Sequence, residues 1–293
     1  MIGKPKGIID LFFVTRGQWI SMYLLMCWLS IMALTESYNL YLDTAFSKLA
    51  IEEKFETLTK RYGIRIVYQI GDDFLSNITH PFIAVGPPKD SKIMAIRHRV
   101  LLRYPQRLSM AFKKYPEEVI KGYLNAIHFA AYINHNGVSS GGTYDTFRRI
   151  VYMVDGGGRK DNDAISTFHH EFSSLLLSRH SFFLNPWFDQ NPKDFVYAYE
   201  SEKNWLEVFN NSSLEGTEAD YEKGFMNTYG QTEFENDFNE YSAMIFTYPE
   251  KFKRIMARYP RVRGKFLVWL KFYQEIDPIF TEEYLLGVET QGG

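Results

Sequence analysis

Residues 168–174 (Phe-His-His-Glu-Phe-Ser-Ser) place a histidine directly before a glutamate, at His170 and Glu171. In a His-Glu-x-x-His helix, two histidines four residues apart lie on one face and hold zinc, while the glutamate acts as base on a zinc-bound water. Here the position four residues after His170 is Ser174. Because a neutral hydroxyl is a poor zinc ligand compared with imidazole or carboxylate, the sequence predicts a degenerate metal motif.

An acidic segment about 65 residues further along the chain contains candidates for another ligand, Glu235 and Glu240. Its apolar residues recur at helical spacing, so much of this predicted helix is expected to pack inward. No histidine follows His180, and any ligand from this region would therefore be a carboxylate. Acids at this spacing are also common on a solvated helix face, and both interpretations remain open.

The other histidines offer little to a metal site. His180 has the spacing of a third metzincin histidine, but Leu177 stands where that pattern needs glycine. His169 points about 100° away from its neighbour around a helix, which favours a core or supporting contact. The remaining four have no ligand spacing and are expected at the surface or in the core: His80, His98, His128 and His135.

Together, the two motifs resemble those of the zinc-binding metallopeptidases of Bacteroidetes, and more narrowly the substrate import-associated zinc metallohydrolase lipoproteins. The resemblance rests on residues 168–172, on Tyr229 with the following glycine, and on residues 237–240. It extends over most of the chain after residue 40. It implies an α+β, zincin-like metallopeptidase fold with a small sheet, an active-site helix and a C-terminal helical part.

The resemblance also implies roles for single residues. In that family and in lethal-factor-like gluzincins, a tyrosine precedes a Glu-x-Phe-x-Glu run whose first glutamate binds zinc and whose second supports the site. Matched onto this chain, the ligand position falls on Asn236 and the supporting acid on Glu240, while Tyr229 matches the oxyanion-stabilising tyrosine. Glu235 is one residue away and would need a helical rotation of about 100° or a bulge to substitute. A core-edge tyrosine and a surface acid are the alternatives for Tyr229 and Glu240.

An active site of this kind would use His170 as the remaining imidazole ligand of zinc and Glu235 or Glu240 as its carboxylate. Glu171 would take a proton from zinc-bound water, the hydroxide would attack a peptide carbonyl, and Tyr229 would stabilise the oxyanion. The reaction class would be peptide hydrolysis.

Two of the three expected ligand positions, Ser174 and Asn236, are altered. We therefore expect weak or lost zinc binding and weak or absent peptidase activity. The alternative, implied by the resemblance, is a non-catalytic lipoprotein that binds a peptide or glycan beside an outer-membrane nutrient uptake system. Four aromatic residues could stack on a sugar or fill a core: Trp187, Tyr197, Tyr199 and Trp205.

Periodicity and turn residues predict the elements that position these groups. Before the motif, we predict a strand at 64–68 and two more at 126–133 and 148–154. The motif helix is predicted to begin at a cap, Asp163 or Ser166, and to end near residue 178. Other helices are predicted at 43–62, 92–102, 117–123, 233–246, 249–258 and 262–276, with irregular chain at 181–230. Strands followed by helices, without βαβ alternation, predict one α+β domain from residue 40 to 293.

Residues 1–36 have the pattern of an export leader, with early basic residues and no charge between Trp19 and Leu34. Cys27 follows Leu-Leu-Met, loosely resembling a lipobox, and is a lipidation candidate. An N-terminal anchor helix, or a signal cleaved near Ala33, is the alternative. Each interpretation places the rest of the chain outside the cytoplasm, as an outer-membrane lipoprotein or as a periplasmic or secreted protein. A lipid on Cys27 or a retained anchor helix would attach the protein to the membrane.

Composition narrows the classes of partner. The formal net charge is −2, and no basic stripe is present, so a nucleic acid is not an expected partner. A single cysteine rules out an intrachain disulfide, and the hydrophobic content of 45% is ample for a core. The fold must therefore rest on packing or on a metal.

Overall fold

The computed structural model describes residues 16–68, 92–135, 138–201, 207–208 and 211–287. His80 and Trp205 lie outside these residues. Contacts divide the chain into two compact units, Met1–Ala50 and Ile51–Gly293. The strands, the helices after the first and the site described below all lie within the second unit.

The first helix, α1 (Arg16–Tyr62), includes the helix predicted at 43–62 and begins well before it. Its apolar side chains from Met22 to Leu34 are exposed. Within the described part of the chain, no helix is long and apolar enough to cross a membrane. Gly63, at φ +66°, follows the helix in a left-handed conformation that favours glycine.

A mixed sheet supports the site. Its strands are β1 (Arg65–Val67), β2 (Lys92–Ala95), β3 (Ala126–His135), β4 (Val138–Ser139), β5 (Gly142–Asp145) and β6 (Ile150–Val154). The strand order is β1-β3-β6-β5, and β2 and β4 also pair with the long strand β3. β3 runs parallel to β1 and β6, whereas β5 is antiparallel to β6 and lies at the end of this order.

Helices make up most of the remaining structure. In the described residues they are α2 (His98–Leu101), α3 (Tyr104–Phe112), α4 (Glu117–Tyr123), α5 (Asp161–Leu177), α6 (Leu184–Phe188), α7 (Glu218–Lys223), α8 (Phe234–Thr247), α9 (Pro249–Arg258), α10 (Pro260–Ile276) and α11 (Glu282–Leu286). A 3-10 turn, Tyr229–Gln231, precedes α8. This combination confirms the predicted α+β class.

Helix α5 lies at the centre of the second unit, where it packs against β5, β6, α3 and α8. Its apolar side chains Phe168, Phe172, Leu175 and Leu176 are almost completely buried. Burial of this many large side chains contributes several kcal/mol, at roughly 1.5–3 kcal/mol for each. The helix that carries the His-Glu pair is therefore fixed by the core.

Three predictions about local structure were wrong. The predicted helix at 92–102 is β2 followed by the single turn α2, because residues 92–95 find a pairing partner in β3. The motif helix begins at Asp161, and neither Asp163 nor Ser166 is its N-cap. Instead, Arg107 donates from Nε to Asp161 Oδ1 at 2.8 Å and holds the start of the helix. The region 181–230, predicted to be irregular, contains α6 and α7.

Candidate active-site cleft

His170, Glu171 and Ser174 lie in the middle of α5, and all three are buried. His170 and Glu171 line a cleft of about 950 Å³ between the end of the sheet, α5 and α8. Residues 139–142, which lead into β5, line the same cleft, together with Tyr229. The fold thus gathers the predicted His-Glu pair, the predicted tyrosine and an outer strand around one space.

His170 forms an ion pair with Glu240 of α8, with 2.9 Å between Nδ1 and Oε1. The other oxygen of Glu240 accepts a hydrogen bond from Asn227 Nδ2. Burial alone would lower the pKa of His170, but the hydrogen bond to Glu240 and the charges of Glu171, Glu240 and Glu235 raise it to about 9. A carboxylate on Nδ1 fixes the orientation of the ring, a supporting arrangement seen around histidines in metal sites.

Glu171 lies against β5. A Cβ at Gly142 would come within 2.6 Å of Glu171 Oε1 and 2.8 Å of a methyl of Thr167, so the close approach depends on glycine. Burial raises the pKa of Glu171 to about 7, partly opposed by the nearby His170. A carboxyl group with a pKa near neutrality can exchange protons at physiological pH.

Tyr229 lies beside His170, with 5.8 Å between their ring centroids. Burial, followed by the negative charges of Glu171 and Glu240, raises its pKa well above the usual value. The phenol therefore stays protonated and can act as a hydrogen-bond donor in the cleft. Its position beside the His-Glu pair is compatible with the predicted role.

Ser174 takes part in a polar chain that joins α5 to α8. Its Oγ donates to Glu235 Oε1 at 2.7 Å and accepts from Asn239 Nδ2 at 2.7 Å. Ser173 Oγ donates to Asn239 Oδ1, and Tyr144 of β5 hydrogen-bonds to Glu235. The position that a second zinc histidine would occupy is thus filled by a serine that binds the neighbouring helix.

Asn236 and Glu235 face different surroundings. Asn236 Nδ2 donates to Thr232 Oγ1 at 2.9 Å and to Glu233 Oε1 at 3.0 Å, at the start of its own helix. Glu235 instead reaches Ser174. Burial and the charge of Glu235 raise the pKa of Glu233 to about 7. In this geometry Glu235 is the α8 acid nearest the altered ligand position on α5.

The side chains do not fit a bound zinc ion. Among the described residues, no group of three or more His, Cys, Asp or Glu side chains is arranged to hold a metal. His170 supplies a single imidazole, oriented through Nδ1 by Glu240, and Glu235, the acid closest to Ser174, accepts a hydrogen bond from that serine. Structural zinc sites use four ligands and catalytic sites three with a water, and this arrangement supplies neither set.

Two other sets of predicted residues lie away from the cleft. His180 hydrogen-bonds to Tyr123, with 2.6 Å between Nε2 and the phenol oxygen. Trp187 and Tyr197 are buried and donate to Asp237 at 2.9 and 2.7 Å, so they are not available as a sugar-stacking surface. Aromatic packing in the core accounts for these rings, as it commonly does.

Several residues in or beside the cleft were missed by sequence reasoning. Asn227 and Asn239 support Glu240 and Ser174, and their asparagine side chains gave no signal in the sequence. Gly142 and Arg159 line the cleft together with Glu171. The paired glycines at 141–142 could have indicated a close approach, because glycine at the start of a strand often marks one.

The fold and cleft together define an α+β architecture in which a buried His-Glu helix packs beside an antiparallel outer strand. Neither a protein-family model nor a curated protein matches the sequence. The fold is similar to a crystal structure of a putative zinc-binding metallo-peptidase from Bacteroides caccae ATCC 43185. The two share a TM-score of 0.52 and 14% sequence identity, over 81% of this chain and 89% of that chain. This likeness supports the α+β fold and, at such an identity, concerns the fold alone.

Proposed function

We propose that this chain is a metallopeptidase-like protein that binds an extended peptide in its cleft and does not hold zinc as a catalytic ion. The observation that carries the proposal is the hydrogen bonding of Ser174. Its hydroxyl joins Glu235 and Asn239 at 2.7 Å each, in the place of a second imidazole ligand. A chain with a single available imidazole and an acid already hydrogen-bonded lacks the donor set for tight zinc binding.

The proposed ligand is a peptide because of the strand that borders the cleft. β5 pairs with β6 and follows a segment, residues 139–142, that lines the cleft beside Glu171. An extended peptide can add to an exposed strand through backbone hydrogen bonds. The cleft volume of about 950 Å³ lies in the upper part of the range seen for ligand sites. A glycan remains the competing ligand.

Metal content tests the first half of the proposal. The purified full chain is dialysed and its zinc measured by elemental analysis, in parallel with Ser174→His and Ser178→His variants. We expect far less than one zinc per wild-type chain and a clear gain only for Ser174→His. Ser178 is the exposed C-cap residue of the same helix and its hydroxyl donates to the carbonyl of Leu175, so it is a matched control. Zinc retained by the wild type, with peptide hydrolysis abolished in Glu171→Gln, would contradict the proposal.

Peptide retention tests the second half. A library of random synthetic decapeptides is passed over the immobilised full chain, and retained peptides are identified by mass spectrometry. We expect retention by the wild type and a strong loss in Gly142→Ala, because the added Cβ would displace Glu171. Gly122→Ala is the control, since a Cβ there meets nothing within 4 Å. Retention of oligosaccharides and no peptides would favour the glycan alternative.

We also propose that the protein is exported and attached to the cell envelope through its N-terminal region, beside an uptake system. The support is the exposed apolar run from Met22 to Leu34, together with the leader pattern of the sequence. Cell fractionation of the wild type and of Cys27→Ala tests this proposal. A lipidated protein is expected in the membrane fraction and the variant in the soluble fraction, whereas wild type in the cytosol would contradict export.

A further inference from the structure

Arg159 lies in the loop between β6 and α5, and it lines the same cleft as Glu171. Its Nη1 donates to the carbonyl of Gly141 at 3.2 Å and to Thr167 Oγ1 at 2.6 Å. A Cβ at Gly141 would come within 2.7 Å of Nη2. Glycine at this position therefore leaves the space in which the guanidinium lies.

Both groups that accept hydrogen bonds from the Arg159 guanidinium, the Gly141 carbonyl and the Thr167 hydroxyl, are neutral. Within the described residues, no carboxylate forms a salt bridge with it, and its Nε and Nη2 have no acceptor. A guanidinium has five N–H donors in a planar fork that matches the two oxygens of a carboxylate. The cleft thus contains a positioned cation with unused donors, the chemistry that recognises an anionic group.

Buried groups hold the backbone of Arg159. Asp155 Oδ1 accepts hydrogen bonds from the backbone N–H groups of Gly157 at 2.7 Å and of Arg159 at 3.4 Å. Arg107, only 3% exposed, donates from Nη2 to the carbonyl of Arg159 at 3.2 Å and pairs with Asp155 at 3.3 Å. Because the loop is already fixed, little conformational entropy would be lost when a ligand binds to it.

We propose that Arg159 is a specificity-determining residue of the cleft and that it binds a carboxylate of the peptide ligand. The inference rests on the proposed peptide binding. Thr167, which accepts from Arg159, and Glu171 are four residues apart on α5 and so lie on one face, about 5–6 Å apart. An extended peptide advances about 3.3 Å per residue. The carboxylate bound by Arg159 therefore belongs to a peptide residue within about two positions of the peptide residue that lies beside Glu171.

Three synthetic decapeptide libraries distinguish the sources of the carboxylate. The first contains Asp and Glu and has an amidated C-terminus. The second lacks acidic residues but has a free C-terminal carboxylate, and the third lacks acidic residues and is amidated. Each is passed over the immobilised full chain and its retained fraction is measured. We expect the first or the second to be retained roughly tenfold better than the third, in line with one charge-assisted hydrogen-bonded contact.

Variants then assign the preference to one side chain. Arg159→Gln should retain all three libraries equally, and Arg159→Lys should keep part of the preference because it supplies a charge without the planar fork. Lys251→Gln is the control, because it removes one positive charge from another residue that lines the cleft. We expect it to change the ratio of retention between the libraries by less than about twofold, since a point charge that is not positioned on the ligand contributes little. Circular dichroism confirms that each variant is folded.

The ratio of retained fractions between the libraries separates recognition of a carboxylate from a structural role of Arg159. Loss of a structural role would lower the retention of all three libraries together. Equal retention of the three libraries by the wild type would overturn the inference while leaving peptide binding in place. The inference would also be overturned if Arg159→Gln kept the preference for carboxylate-bearing peptides. It would be overturned as well if Lys251→Gln abolished that preference as completely as Arg159→Gln does. If the wild type retains none of the libraries, the proposed function itself fails.

Discussion

The hydroxyl of Ser174 donates a hydrogen bond of 2.7 Å to the carboxylate of Glu235, across the interface between α5 and α8. A histidine at this position would present an imidazole to a metal, whereas the serine hydroxyl donates a hydrogen bond to the acid. The consequence is structural, since α5 and α8 are joined at this point by polar side chains.

Replacing Ser174 with alanine should destabilise the fold. The change leaves the buried Asn239 Nδ2 without its acceptor and removes one donor from Glu235, which keeps its hydrogen bond with Tyr144. A buried polar group that loses its hydrogen bond costs about 1–3 kcal/mol. Ser178→Ala is the control, because Ser178 is exposed and should change stability by less than about 0.5 kcal/mol. Urea unfolding of both variants measures the difference. Equal effects would show that the contact to Glu235 contributes nothing.

Gly142→Ala should lower the melting temperature because the new Cβ would lie 2.6 Å from Glu171 Oε1. Overpacking of this kind costs about 1–3 kcal/mol, or several degrees for a domain of this size. Gly122→Ala adds the same methyl in α4, where it meets nothing within 4 Å, and should be neutral or slightly stabilising. Thermal unfolding followed by circular dichroism compares them, and an unchanged melting temperature in Gly142→Ala would contradict the close approach.

Lys265 and Asp237 form a fully buried ion pair, with 2.6 Å between Nζ and Oδ2. Trp187 and Tyr197 donate to the same oxygen. Lys265→Met leaves the carboxylate buried without its counter-charge, which should destabilise the protein by about 3–5 kcal/mol. Lys253→Met, which removes a salt bridge at the surface, should cost less than about 1 kcal/mol. Chemical denaturation measures both, and a loss for Lys265→Met no larger than that of the control would rule out the expected role.

His128 on β3 should make stability depend on pH. Burial, followed by the positive charges of Arg65 and Arg148, lowers its pKa from 6.5 to about 4. The unfolded chain therefore binds the proton more readily, and the free energy of unfolding should fall as the pH drops from 6.5 towards 4, by less than about 1.4 kcal/mol per pH unit. His128→Gln should flatten this part of the curve. Urea unfolding between these pH values measures the slope, and equal slopes would count against the burial of His128.

The order of elements around the motif could be predicted from the sequence. The strand near 126–133, the motif helix and the helices from residue 233 onward carry clear apolar periodicity, and the structure contains them as β3, α5, α8, α9 and α10. The helix predicted at 92–102 was wrong because β2 is fixed by its pairing with β3. A local pattern cannot show a partner more than thirty residues away.

Within the site, the sequence determined which residue types are present, and this alone excludes an intact His-Glu-x-x-His motif. It also placed His170, Glu171 and Tyr229 in one candidate site, which the structure brings together in the cleft. The resemblance matched the ligand position to Asn236, whereas in the structure it is Glu235 that contacts α5. A difference of one residue on a helix is a rotation of about 100°, which only packing can fix.

The sequence by itself determined the chemistry available on α5, a histidine and a glutamate followed by a serine where a ligand is expected. Only the tertiary structure decided how those side chains are used. Glu240 pairs with His170, Glu235 accepts a hydrogen bond from Ser174, and the guanidinium of Arg159 lies in the cleft beside Gly141. These contacts join residues far apart in the chain, and their geometry follows from the packing of α5 between the sheet and α8, which no local pattern encodes.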